Sequence, residues 1–168
     1  MHLESARLRL IPLNYDQLLA YLQPDFQLET ALGLEKIPRT ISPRLNKAIH
    51  QTLLPAVADP SKNYLFCTIW TIVDKAQNQM VADLCFKGAP NEHGEIELGY
   101  GTYDAFRGQG YMTEAVQAIA AWAFAQPGVT AILAETNLDN IASQRILEKN
   151  KFTQTKTTEE SIWWKLLA

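Results

Sequence analysis

Cysteine is nearly missing from this 168-residue chain. Cys67 and Cys85 are its two thiols, each inside an apolar run and without C-x-x-C or Cys/His ligand spacing. That pattern argues against a metal site and predicts reduced core residues of a cytosolic protein. An excess of positive charge is missing too. With 15 Lys+Arg against 18 Asp+Glu, the formal net charge is −3, so there is no strong field to draw in a phosphodiester backbone, and nucleic acid is not an expected partner. No stretch approaches the ~18 consecutive apolar residues of a membrane span. Met1 to Leu13 carries Glu4, Arg7 and Arg9 among its apolar residues and has no continuous signal-peptide core, so neither secretion nor membrane insertion is expected. Repeats, linkers and low-complexity segments are also absent, and one domain over residues 1–168 is the natural reading.

What the chain does have is enough apolar residues, 47% of the total, to fill the core of a domain this size. Arg7 to Ile11 alternates charged and apolar residues, a half-buried strand ended by Pro12. Asn14 with Gln17 three residues on is a capping box for a helix carrying Leu18, Leu19 and Leu22. Asp25 to Arg39 shows little pattern. Ser42-Pro43 pairs a cap with a first-turn proline, and Leu45, Ile49 and Leu53 then mark a second helix up to Pro55. Tyr64 to Val73 and Met80 to Phe86 read as the arms of an antiparallel hairpin. A strand is expected over Glu95 to Tyr103 and a long helix from Met112 to Ala125, stopped by Pro127-Gly128. A strand over Val129 to Ala134, a helix capped by Asn140 and reaching Asn150, and an apolar tail with Ile162, Trp163 and Trp164 complete a mixed α/β domain.

The stretch with chemical content is Arg107-Gly108-Gln109-Gly110-Tyr111-Met112-Thr113-Glu114, between a strand and a strongly periodic helix. Two glycines let the backbone turn tightly, and the following helix adds unpaired N–H groups and a positive dipole end, a combination that suits an anion. Arg107 supplies a mobile positive charge. A Walker loop would need Lys then Ser/Thr after its last glycine, where Tyr111 and Met112 stand. A dinucleotide fingerprint is matched at Gly108 and Gly110 but not at Thr113; Glu135 lies near the place of a ribose-binding acid, which keeps a nucleotide-binding redox domain as a rival. Against that rival, the first βαβ unit would begin some hundred residues into a small chain.

From Glu95 to Phe152 the sequence resembles the GNAT superfamily of acetyl-CoA-dependent N-acetyltransferases. Arg107, Gly108, Gln109 and Gly110 match its Arg/Gln-x-x-Gly-x-Gly/Ala signature, with Met112 at the closing small-residue position. Asn140, Ser143, Leu147, Glu148, Lys149 and Phe152 match a second motif, of the Rim-type branch of ribosomal-protein-alanine N-acetyltransferases, with Lys151 in place of its glycine. The first 90 residues agree only in layout. The resemblance implies a GNAT-like α/β fold: a mixed, largely antiparallel sheet splayed around the coenzyme, with helices on both faces. It implies that the amides of Gln109, Gly110, Tyr111, Met112 and Thr113 hold the coenzyme pyrophosphate, with Arg107 and Gly108 beside them. Thr102 and Asn140 align with contacts to the pantetheine arm, and Asn140 is equally a plain helix cap.

Acetyl transfer to a primary amine needs a neutral nitrogen, an oxyanion donor and a proton for the departing thiolate. Glu95 and Glu97 share one strand face with Gly99 and Gly101, and Glu97 stands where the family often places an acid, so it is the expected base. A backbone N–H near Thr102 is the expected oxyanion donor. The tyrosine that many relatives use as general acid is replaced by Leu147; Ser143 aligns with the serine assigned that duty in the Rim-type branch, ahead of Tyr100, Tyr103 and Tyr111. The missing tyrosine also keeps open a non-catalytic acyl-CoA sensor. Trp70, Trp163 and Trp164 read as packing rather than as an acceptor cleft, and His2, His50 and His93 fall in no motif. The acceptor, a protein N-terminus or an amine-bearing small molecule, is not specified by the sequence.

Overall fold

The computed structural model describes all residues, 1–168. Its strands are β1 (Leu3–Glu4), β2 (Leu8–Pro12), β3 (Ile69–Asp74), β4 (Gln79–Phe86), β5 (Glu95–Thr102), β6 (Ala131–Asn137), β7 (Thr153–Thr157) and β8 (Ser161–Leu167). They form one eight-stranded sheet in the order β1-β2-β3-β4-β5-β6-β8-β7. Every neighbouring pair is antiparallel except β5 and β6. With a single parallel pair, the sheet is not the doubly wound parallel one that a dinucleotide-binding domain requires, which removes the redox rival.

The helices are α1 (Tyr15–Tyr21), α2 (Gln27–Leu32), α3 (Pro43–Ala48), α4 (Leu54–Ala58), α5 (Tyr111–Phe124) and α6 (Ile141–Lys149). They divide between the two faces of the sheet. On one face α5 and α6 set Met112, Ala115, Ile119 and Leu147 against Leu10, Ile72, Leu84 and Leu98 of the strands. On the other, Leu18 and Tyr21 of α1, Leu28 of α2 and Leu53 and Leu54 before and in α4 pack against Ile69, Val73 and Met80. Because both faces are covered, β3 is buried at all six positions and carries no in-and-out alternation. Trp122 of α5 stacks among Phe66, Trp70 and Phe86, with ring centroids 5.2, 5.0 and 6.0 Å away. Trp70 and Trp164 are thus core residues, fully buried.

Four local readings change, the first being the hairpin arm expected from Tyr64, which starts at Ile69 after a 3₁₀ turn over Tyr64–Phe66. The helix expected to stop at Pro55 runs on to Ala58, because Ile49–Leu53 forms a π-helical turn in which the Leu54 N–H reaches back five residues to the Ile49 carbonyl. A widened turn accommodates a proline ring and its missing N–H. The featureless stretch after Asp25 holds α2, only six residues long and entered through Phe26 at φ +60°. Strand β7 is exposed at every position, so it has no hydrophobic pattern to read.

The feature that positions the site is a divergence of two strands. β5 and β6 pair from Glu95/Ala131 to Leu98/Ala134 and no further. Beyond that point β5 stays with β4 as far as Thr102, opposite Ala82, and β6 stays with β8 as far as Asn137. Gly99 to Thr102 therefore present one strand edge without a strand partner, and unpaired backbone donors and acceptors seek one.

Candidate active site

The turn from β5 into α5 begins beside this open edge. Gly108 and Gly110 both adopt left-handed backbone, at φ +73° and +79°, the conformation that side chains resist. Gly110 is the N-cap of α5 and brings no side chain to the helix start, so the first-turn N–H groups of Tyr111, Met112 and Thr113 have no partner within the helix.

The turn is fastened from behind by the N-terminal strands. Glu114 Oε1 accepts from the Ser5 hydroxyl at 2.7 Å and from the Arg7 backbone N–H at 2.8 Å, and Oε2 accepts from Arg7 Nε at 2.7 Å. Arg7 Nη1 donates to the Gln109 carbonyl at 3.0 Å, and its guanidinium lies 4.9 Å from the Tyr111 ring centroid. Burial pushes the Glu114 carboxyl up, but these donors and the Arg7 charge prevail and hold it below the usual glutamate range. Tyr111 is anchored as well, its hydroxyl donating to Asp74 Oδ2 at 2.7 Å. Neither Arg7 nor Glu114 is marked as a support by the glycine motif itself. The charged positions in the alternating stretch Arg7 to Ile11 were the available signal.

A cavity of about 600 Å³ opens between this turn, the free edge of β5 and α6. Of the residues expected to hold the coenzyme, Thr102, Arg107, Gly108 and Gly110 line it, as do Tyr111, Met112, Thr113 and Asn140. Gln109 does not: its side chain folds back onto the Ala105 carbonyl and its own carbonyl is taken by Arg7, leaving its N–H as its contribution. Asn140 is the cap of α6, its Oδ1 accepting from the Ser143 N–H at 3.1 Å. Ser143 lines the same cavity, with the Tyr100 hydroxyl donating to its carbonyl at 3.2 Å. Tyr100 is pushed up to about 12, by burial. Two cations unforeseen in the sequence, Arg145 and Lys149, also line this wall; their i, i+4 spacing on a capped helix was the readable clue. Together with Arg107, whose exposed guanidinium meets Asp104 at 2.9 Å, they give a basic rim to a wall of backbone donors, a surface suited to a polyanion.

A second cavity, of about 620 Å³, lies across β5 on the face of α1 and the α2–α3 connection. Tyr100, Gly101, Thr102, Phe106 and Arg107 line both cavities, so only this piece of chain separates them. On its wall Asp83 Oδ2 accepts from the Tyr21 and Tyr103 hydroxyls at 2.8 and 2.7 Å. Asp83 is the one charged residue in the apolar run Met80 to Phe86, which is its one local signal in the sequence.

Glu97, the expected base, is ion-paired with Lys87 and lines neither cavity. It stands about 13 Å of strand away from Gly101. Glu95 is bound by Lys165 at 2.7 Å, a contact that lowers its carboxyl pKa. His2, His50 and His93 are outside both cavities, as is Trp163. No group of three or more His, Cys, Asp or Glu side chains is arranged to hold a metal ion, and no helix is long and apolar enough to cross a membrane.

Known proteins agree with this architecture. The Acetyltransferase (GNAT) domain model matches residues 7–153. A Bacillus subtilis (strain 168) protein described as the uncharacterized N-acetyltransferase YjdG is 37% identical over 95 residues, which are 56% of each chain, so the match spans little more than half of that relative's length. Among solved structures, the Salmonella typhimurium acetyltransferase that modifies the N-terminal serine of ribosomal protein L7/L12 superposes with a TM-score of 0.71 at 17% identity, covering 100% of this chain and 99% of that one. The ribosomal-protein-S5-alanine acetyltransferase of Vibrio fischeri gives a TM-score of 0.70 at 15% identity over 99% and 96% of the two chains. At such identities the two structures speak for the fold, while the domain match extends across nearly the whole chain: it belongs to the GNAT acetyltransferase family.

Proposed function

We propose that this protein is an acetyl-CoA-dependent N-acetyltransferase acting on a primary amine, either a protein N-terminal α-amine or an amine-bearing small molecule. The observation that carries the reading is the separation of β5 from β6 directly beside an uncapped helix start, with a second cavity across the same strand. In this reading the amides of Gln109 to Thr113 take the pyrophosphate, as helix N-termini do. Arg107, Arg145 and Lys149 offset its charge, and the free edge of Gly99 to Thr102 pairs with the amides of the pantetheine arm beside Asn140. The thioester would then lie at Gly101 and Thr102, the boundary of the two cavities, where an amine from the far side can reach it.

Transfer proceeds by attack of the neutral amine on the thioester carbonyl carbon. A backbone N–H near Thr102 stabilises the oxyanion, the C–S bond breaks, and the Ser143 hydroxyl delivers a proton to the thiolate. Leu147, fully buried, offers no acid in place of the usual tyrosine. The hydroxyls of Tyr100, Tyr103 and Tyr111 donate to the Ser143 carbonyl, Asp83 and Asp74, which supports Ser143 as the acid in this reading.

Incubating the protein with acetyl-CoA and a panel of amines and short peptides, while following thiol release and identifying products by mass spectrometry, tests the reading. Acetylated amine in proportion to released coenzyme A is the expected result. Acetyl-CoA binding without thiol release across the panel would favour the sensor.

A further inference from the structure

The charges on the wall of the second cavity are Arg39, Asp83, Asp104 and Arg107. Arg107 is matched by Asp104 at 2.9 Å, and Arg39 by Glu29 at 3.1 Å in a buried pair. Asp83 alone has no ion partner, although it is nine-tenths buried. Its Oδ2 takes two tyrosine hydroxyls, while Oδ1 has no hydrogen bond of good geometry and neither has Oγ1 of its cross-strand neighbour Thr71. An isolated carboxylate is costly to bury, so a wall that keeps one at a cavity complements a cation.

Its place in the sheet adds direction. Asp83 pairs with Gly101 on β5, which lacks a side chain and lines both cavities, so no β5 side chain stands over the carboxylate at that point. The two hydroxyls donate to Asp83 and keep their lone pairs free. Tyr103 directly follows Thr102 in the chain, and Tyr21 is fixed by the Arg39 guanidinium 4.5 Å from its ring centroid and by Arg39 Nη2 donating to its carbonyl at 2.9 Å.

We propose, resting on the acetyl-transfer reading above, that this cavity is the acceptor site for a primary ammonium group, and that Asp83, through the hydroxyl of Tyr103 with Tyr21 in support, takes up the proton that the ammonium must lose. The ammonium N–H passes a proton to Tyr103 Oη while the Tyr103 hydroxyl proton passes to Asp83 Oδ2, leaving a neutral amine, an intact tyrosine and a neutral aspartic acid. The freed nitrogen lone pair forms the C–N bond, the C–S bond breaks, and the nitrogen's second proton balances the one given to the thiolate. Asp83 afterwards returns its proton to solvent. Tyr103 is thus the group in contact with the amine and Asp83 the positioning residue behind it.

Burial raises the Asp83 carboxyl, against the lowering by Tyr103, Tyr21, Thr71 and Arg39, a direction suited to accepting a proton near neutral pH. Of the other groups facing it, the two tyrosines and Cys85 are shifted away from that range. Burial lifts Tyr21 and Tyr103 far above it and Cys85 to about 11, while Arg39 is paired with Glu29 at 3.1 Å and Asp104 with Arg107 at 2.9 Å.

The test measures kcat at saturating acetyl-CoA and amine from pH 5 to 9, using a trialanine peptide, n-butylamine and tyramine as probes, in the wild-type protein, Asp83→Asn and Tyr103→Phe, with acetyl-CoA affinity by calorimetry. Wild-type kcat should fall as pH falls through the Asp83 ionisation. Asp83→Asn should lose that acid limb and about 10²-fold in kcat, with coenzyme affinity within roughly twofold. Tyr103→Phe should lose a comparable factor and carries the test if Asp83→Asn does not fold. Thiol release whose size and pH profile both variants preserve overturns this proposal alone. Acetyl-CoA binding without thiol release from any of the three probes overturns the acetyl-transfer reading and this proposal with it.

Discussion

The cavity on the α5 and α6 side of β5 is walled by two short runs of chain, residues 100–113 and 140–149, whereas the one on the opposite side draws on side chains scattered from Tyr21 to Arg107. The first offers backbone donors and a rim of Arg107, Arg145 and Lys149; the second sets one unpaired carboxylate among tyrosines. On the proposed reading the contrast divides the activity: a coenzyme of constant shape is met by backbone and by local sequence that fixes backbone, and an acceptor by side chains that tertiary folding alone brings together.

Ser143→Ala gives the largest expected effect within the first cavity: turnover falls by roughly 10²-fold while acetyl-CoA affinity holds within a few-fold. Unchanged turnover in steady-state kinetics would strike Ser143 from the reaction. Gly110→Val should act on binding instead. A branched side chain at φ +79° is strained, and its Cβ would stand 3.4 Å from Arg7 Nη2, so acetyl-CoA affinity by calorimetry should drop about tenfold or more. Turnover at saturating coenzyme should stay within a few-fold, since the second cavity is untouched. Neutralising both Arg145 and Lys149 to Ala should weaken acetyl-CoA binding by a factor of a few at low ionic strength, a difference that added salt erases. A loss of amine affinity in that double variant would break the division between the two cavities.

The smallest effect concerns the clasp behind the turn. Because the Glu114 carboxyl lies below its ordinary value in the folded protein, its stabilising contribution is complete above the unfolded-state pKa and is lost as pH falls through the folded-state one. Glu114→Gln should therefore lower Tm at pH 7 by roughly 3–6 °C, as expected for losing about 1–2 kcal/mol of charge-assisted bonding, with the gap from wild type closing in acid. A gap that persists at low pH would assign the loss to packing rather than to charge.

The same division explains what could be read before folding. Arg107 to Thr113 and Asn140 with Ser143 are contiguous, and their spacing depends on turn and cap geometry; nearly all of them meet at one cavity. The capping box of Asn14 and Gln17 formed as read, each side chain bonding the other's backbone N–H. Asp83 escaped because its significance depends on Tyr21 and Tyr103, 62 and 20 residues away, and no local pattern encodes those pairings. Glu97 stands where the family often places an acid, and Lys87 across the turn engages it, a partner set by strand register rather than by the strand's own sequence. Pro55 misled because a π-helical turn relieves the clash that ordinarily ends a helix.

Hydrogen–deuterium exchange with and without acetyl-CoA tests most directly whether the coenzyme lies on the α5 side of β5. The account predicts new protection in the amides of residues 99–113 and 140–146, with residues 21–45 on the far side unchanged. Protection confined to 21–45, or none at 108–113 under conditions where calorimetry shows the coenzyme bound, would contradict it.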